Sequence, residues 1–451
     1  MPWDTCYCST EIYNSLCYSI IDGNLSYTWR EFEFVYSASG NDKRTTMVPS
    51  TTESESVYRQ LGVTPVINAA GTKTRIGGSL IREEAAEAMR AAAKEFVQLS
   101  ELEARASEQI AEIAGSEAGY VSPGAEAGLL LAAAAAIAGD DPKTMSELPH
   151  PTDAPNDIVM PRTHRTGYDH ALRAAGANIV DVGTNDYHLG TGATNVEPWE
   201  IESAIDGNTA GVAYVQKAYT QPELSTVTEI AHRHDIPVIV DAAAEVPPIA
   251  NLSRFIEQGA DMVVFSGGKG IRGPQTTGIV AGKRRYIRSI AVQHQDMHVD
   301  RRVWNPPSSL IHTDRFDGVP RQGIGRSLKV GKEELVGLIR ALDLFIEEDQ
   351  EALVAEWEDL AQSMASQLEA AGVATTVVAG GEQSVAPRVI VDISHSQSTL
   401  SAAALVAELQ RDDPRVYVGE DRIDEGAIVL NPMCLDEDGA AYVIDRLLTH
   451  L

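Results

Sequence analysis

The chain has 451 residues, enough to bury a large core and to form one large domain beside a smaller one. Its 65 acidic residues outweigh 36 basic ones, only 9 of them lysine, for a formal charge of −29. An acid excess with Arg favoured over Lys points to high salt, where screening relieves self-repulsion, and with no basic run it argues against a nucleic-acid partner.

Residues 1–46 differ from the remainder. They hold three of the four cysteines (6, 8 and 17, but not 434) and nine of the 26 aromatics, without the Ala/Glu texture that follows. The expectation is that Met47 is the true start; the alternative is a family-specific extension. Cys6-Tyr-Cys8 lacks the second pair that a zinc site needs, so no metal site is predicted and the thiols are expected to be reduced. No stretch reaches the ~20 apolar residues of a membrane span, and the Ala-rich run 131–138 is too short. A soluble, cytoplasmic protein is expected.

From residue 65, short apolar runs alternate with amphipathic helices, the pattern of a largely parallel α/β sheet with crossovers. Strands are predicted at 117–121, 157–160, 178–182, 211–216, 237–241, 261–265 and 277–282, with helices at 81–95, 101–114, 124–138, 222–234 and 251–258. One long helical stretch is expected over 331–371, linking residues 47–330 to a small α+β domain. That domain shows strand-like runs at 386–393 and 427–430 and helices near 399–410 and 438–449.

Ligands of such sheets collect at the carboxyl ends of the strands. Two predicted strands end there on chemistry-bearing residues: Pro237-Val-Ile-Val-Asp241, and 261–265, which runs into Ser266-Gly-Gly-Lys269-Gly. An imine-forming lysine with a carboxylate partner is what pyridoxal 5′-phosphate requires, an amine for its aldehyde and an acid that keeps its pyridine nitrogen protonated. The bland alternative is a loop lysine and a strand-end aspartate with no shared task. Tyr120-Val-Ser-Pro-Gly-Ala-Glu-Ala-Gly128 offers a strand-to-helix turn of small residues suited to a phosphate, although Ser122 as N-cap and Pro123 at the first helical position would explain it as capping alone. Ser266 can add a hydroxyl. Pro161-Arg-Thr-His-Arg-Thr-Gly-Tyr168 places Arg162, His164 and Arg165 at the same sheet edge, His164 being the candidate for ring stacking or proton handling and the arginines for substrate anions. Arg75, Arg272 and Arg326 join the substrate candidates through their motif neighbourhoods.

These segments resemble the SelA-like branch of fold-type I pyridoxal-phosphate enzymes, which holds the seryl-tRNA selenium transferases and the D-glucosaminate-6-phosphate ammonia-lyases. The likeness runs from about 58 to 449 through Val66-Ile-Asn-Ala-Ala-Gly-Thr72, the turn at 120–128, Pro237–Glu245, Phe265–Gln275 and Gly325–Glu333. It implies an aminotransferase-like large domain, Lys269 as the cofactor-binding lysine, Asp241 at the pyridine nitrogen and Ala243 packed under the ring. It further implies Ser122, Gly124 and Ala125 at the phosphate, Thr276 and Thr277 serving a neighbouring subunit, and a homodimer at least. The lysine loop departs from the transferases at Gly268, where they carry an acid, and at Arg272, where they carry a small residue, so the ammonia-lyase branch fits better. The implied reaction is α,β-elimination from a hydroxylated, sugar-derived amino acid to a 2-keto acid and ammonia. An aminotransferase, a tRNA-dependent selenium transferase and a non-catalytic binding protein of the same fold are the rivals.

Overall fold

A computed structural model describes residues 56–184, 195–218, 220–381, 386–394 and 399–451, together with the backbone of a hairpin made by β1 (Cys17–Ile21) and β2 (Asn24–Thr28). Met1–Glu55 and Ser56–Leu451 are separate units. Met47 and the remainder of the predicted extension outside the hairpin lie outside the described residues.

After β3 (Val66–Ala69), the large sheet is built from β4 (Ala118–Ser122), β5 (Asp157–Pro161), β6 (Asn178–Val182), β7 (Thr209–Val215), β8 (Val238–Asp241), β9 (Met262–Ser266) and β10 (Gly278–Gly282). Their order is β4-β10-β9-β8-β7-β5-β6, all parallel except β10, which runs antiparallel to both neighbours. Both faces are covered. Ile158 and Met160 of β5 and Met262 and Val264 of β9 join the core formed with helices Ala125–Ala138 and Arg284–His294. Val159, Val263 and Phe265 join the opposite core with helices Leu99–Ala114, Leu224–Arg233 and Lys332–Glu347. Burial on both sides is why these strands read as unbroken apolar runs.

The predicted helix over 331–371 is two, Lys332–Glu347 and Gln350–Ala370. Asp349 ends the continuity, its carboxylate accepting from the N–H groups of Glu351 and Ala352 as an N-cap. Beyond them β11 (Ala374–Val378), β12 (Arg388–Asp392) and β14 (Ala427–Leu430) form an antiparallel sheet, while β13 (Arg415–Val418) pairs in parallel with the distant β3. Ala69 of β3 is therefore buried in the C-terminal core with Leu368, Val389 and Leu447. No helix among the described residues is long and apolar enough to cross a membrane.

Candidate active site

The carboxyl ends of β4, β5, β7, β8 and β9 assemble the site. Asp241, the last residue of β8, stands opposite Val264 of β9 and Val215 of β7, and its carbonyl accepts from Gln216 N–H at 2.9 Å. Its Oδ1 accepts from Ala243 N–H at 3.0 Å, which turns the chain at the strand end. Burial raises the Asp241 pKa, opposed by that N–H and by the ammonium groups of Lys217 and Lys269.

Lys269 follows β9 in a loop closed on itself by bonds from Gly273 N–H to Gly267 C=O (2.8 Å) and from Arg272 N–H to Lys269 C=O (3.0 Å). The loop is pinned from a second segment: Ser79 Oγ donates to Lys269 C=O at 2.8 Å, and Arg82 Nε donates to Ile271 C=O at 3.1 Å while its guanidinium grips Glu348. Desolvation lowers the Lys269 pKa, with Lys217 and Lys73 pushing the same way and Asp241 and Glu245 opposing. A half-buried amine so placed holds its neutral form at lower pH than an ordinary lysine, as a proton acceptor must.

The turn after β4 differs in detail from the capping expected. Helix Ala125–Ala138 begins after Gly124, which takes φ +94°, and not after Ser122. Gly124 N–H is spent on Ser122 C=O at 2.9 Å, and the first helical bond runs from Gly128 N–H to Gly124 C=O. The N–H groups of Ala125, Glu126 and Ala127 thus have no acceptor within the helix and point out of its positive end, the geometry that receives a phosphate. The antiparallel strand β10 packs closely here: a Cβ on Gly278 would stand 2.7 Å from Ala125 N. Glu126 is exposed, so its charge faces solvent. Ser122 and Ser266 are buried, Ser122 Oγ donating to Gly124 C=O at 2.9 Å.

His164 is buried with both ring nitrogens engaged by main chain, Nε2 with Gln221 C=O at 3.2 Å and Nδ1 with Val215 N–H at 3.3 Å. Burial pushes its pKa down to about 4. A neutral ring clamped on both edges suits a fixed flat surface; it does not suit the proton-handling role that the sequence suggested for it. Thr277 is fully buried and its hydroxyl donates to Pro274 C=O at 2.6 Å, so of the two threonines after the lysine loop only Thr276 is exposed.

A cleft of about 1420 Å³ opens on Lys269, walled by residues 70–75, the end of β7, the turn after β8, and Asn431 and Met433 just past β14. Of the five arginines proposed from sequence, Arg75 alone lines it, paired with Glu420 at 2.7 Å. Arg165 is consumed by Asp169 and by Asp181 (2.7 Å), Arg162 is exposed, and Arg272 reaches back to Leu80 C=O. Arg326 lies in a different cleft of about 660 Å³ with His294 and Trp304. Sequence reasoning missed Ser79, Lys73, Lys217 and Glu245. No spacing in the sequence marks them, yet three of the nine lysines in the chain, Lys73, Lys217 and Lys269, line this one cleft.

The chain matches the Aminotransferase class-V family over residues 170–314. It is 30% identical over 403 residues to the D-glucosaminate-6-phosphate ammonia lyase of Salmonella typhimurium, covering 87% of this chain and 96% of that one. It is 29% identical over 402 residues to a 5′-C-glycyluridine monooxygenase-decarboxylase of Streptomyces, covering 86% and 90%. A solved structure of D-glucosaminate-6-phosphate ammonia-lyase superposes with a TM-score of 0.72 at 27% identity, over 90% of this chain and 99% of that one.

Proposed function

The chain belongs to the D-glucosaminate-6-phosphate ammonia-lyase branch of the fold-type I pyridoxal-phosphate enzymes, and from that membership we propose that it is a lyase removing water and then ammonia from a hydroxylated, sugar-derived amino acid to leave a 2-keto acid. The observation that carries the reading is Lys269: a half-buried amine with a lowered pKa, three residues past the end of the strand beside Asp241, facing a cleft wide enough for a sugar acid.

The residues present fit pyridoxal 5′-phosphate. The free N–H groups of Ala125, Glu126 and Ala127 would hold its phosphate, with the Ser122 and Ser266 hydroxyls beside them. The Asp241 carboxylate, with Oδ1 turned by Ala243 N–H, would keep Oδ2 for the pyridine nitrogen. The clamped His164 ring and the small Ala243 would pack against the cofactor ring. Bound there, the cofactor supplies an electron sink that acidifies the hydrogen on the substrate α-carbon. Lys269 Nζ then takes that proton, and the charge on Asp241 favours the proton on the ring nitrogen opposite. Arg75 and Lys73 present cations to the substrate carboxylate and to any phosphate at its far end.

We extend the reading to a homodimer in which Thr276 faces the neighbouring site, and to a cytoplasmic protein working in high salt, the last from the charge of −29. A second reading rests on the likeness to the monooxygenase-decarboxylase, which would consume dioxygen and release carbon dioxide. The deciding experiment incubates purified protein, reconstituted with pyridoxal phosphate in high salt, with D-glucosaminate 6-phosphate and a panel of hydroxylated D- and L-amino acids. Ammonia and keto acid released without dioxygen uptake, and abolished together with the visible cofactor band in Lys269→Ala, support the lyase. Dioxygen uptake with carbon dioxide release supports the second reading, and a need for a keto-acid acceptor would make the protein an aminotransferase.

A further inference from the structure

Loss of a β-hydroxyl needs a proton donor as well as a base, because hydroxide is a poor leaving group, and the lyase reading on which this inference rests leaves that donor unassigned. Lys269 is engaged as the base. His164 has both nitrogens bound to main chain, Tyr214 OH is tied to Pro222 C=O at 3.0 Å and Thr220 at 3.2 Å, and the cleft arginines do not release protons. Lys217 is left. It projects into the same cleft as Lys269, two residues past the end of β7, and its Nζ lies 2.6 Å from Oε1 of Glu245, four residues past Asp241. Glu245 is 12% exposed and Lys217 37%, so the pair is sheltered on the carboxylate side and open to water on the ammonium side.

The base of Lys217 is unusually well held for a loop residue. Thr220 Oγ1 donates to Lys217 C=O at 2.8 Å and accepts from Lys217 N–H at 3.2 Å. Tyr214 braces Thr220, and His164 packs edge-on against Tyr214 with ring centroids 4.6 Å apart while it holds Gln221. Lys217 is also near enough to Asp241 and Lys269 to act on the charge of both.

We propose that the Lys217 ammonium, oriented by Glu245, is the acid that protonates the departing β-hydroxyl. The Cα–H bond breaks and its proton goes to Lys269 Nζ. The electron pair forms the Cα–Cβ double bond, the Cβ–O bond breaks, and a proton from Lys217 Nζ leaves with the oxygen as water. One proton is taken up and one released, so nothing is oxidised or reduced, and Lys217 recharges from solvent through its open side.

The test separates the two proton transfers. Holoenzyme is incubated with D-glucosaminate 6-phosphate in heavy water, and deuterium entry at the α-carbon is followed by NMR beside ammonia release. Lys217→Met and Lys217→Arg, the second keeping the charge but unable to yield the proton, are expected to lose about a hundredfold or more in ammonia release while retaining α-exchange. Replacing the β-hydroxyl by fluorine, which departs as fluoride without a proton, should restore elimination in both. Absorbance titration of the apoproteins with pyridoxal phosphate should give affinities within about twofold of wild type. Exchange and ammonia release falling together, no rescue by the fluoro substrate, a variant releasing ammonia at the wild-type rate, or loss of cofactor uptake would each overturn the assignment. A wild type that shows neither exchange nor ammonia release overturns the lyase reading, and this inference with it.

Discussion

Acid should weaken this fold through His164 in particular. Burial takes the imidazole pKa from 6.5 down to about 4, so the native ring stays neutral where the unfolded chain already binds a proton. The stability this contributes is complete above the unfolded pKa and is lost as pH falls toward the folded one. At about 1.4 kcal/mol per pKa unit the full loss is about 3 kcal/mol, and about 2 kcal/mol of it is spent by a pH of about 5. The partners explain why protonation is resisted: Nδ1 accepts Val215 N–H, and a second ring proton would face that donor. Urea unfolding of wild type and His164→Phe at pH of about 7.5 and about 5, at one salt concentration, isolates the effect, because the hydrogen bonds lost in the variant are missing at both values. Wild type should lose about 2 kcal/mol more than the variant between the two. Parallel losses would refute the clamped, neutral ring and with it the bracing of the loop that carries Lys217.

Gly278→Ala should strike the cofactor and also cost stability by urea unfolding, since its Cβ would stand 2.5 Å from the backbone carbon of Gly124 and the turn must shift. Its Cβ would press on Ala125 N at 2.7 Å, turning the free N–H groups away, and the loss of one charge-assisted bond predicts about tenfold weaker uptake of pyridoxal phosphate by absorbance titration. Arg272 sits at φ +59°, a left-handed conformation that glycine takes freely. Arg272→Gly should therefore be about 1 kcal/mol more stable than Arg272→Ala by thermal or urea unfolding, since both remove the contact with Leu80 C=O and only glycine relieves the backbone.

Apart from the more exposed edge strand β6, the strands of the large sheet were legible because they are buried on both faces, and Asp241 and Lys269 stood out because one ends such a run and the other follows one by three residues. The break at Glu348 and Asp349 was not legible, since the apolar periodicity of Lys332–Glu347 resumes in Gln350–Ala370 and only the cap marks the end.

What the amino-acid order determined unaided was local: the alternation of strand and helix, the small-residue turns, and the lysine and aspartate that close two apolar runs. Those features depend on hydrophobic period and backbone sterics, which act between near neighbours. The tertiary structure alone decided which polar groups meet. It paired β3 with β13 across most of the chain, joined Lys217 to Glu245, clamped His164 between Val215 and Gln221, and removed Arg165 and Arg326 from the cleft that their motifs had suggested. Such pairings follow from strand order and from the desolvation each side chain meets once the sheet has closed, and neither is written in the spacing of residues along the chain.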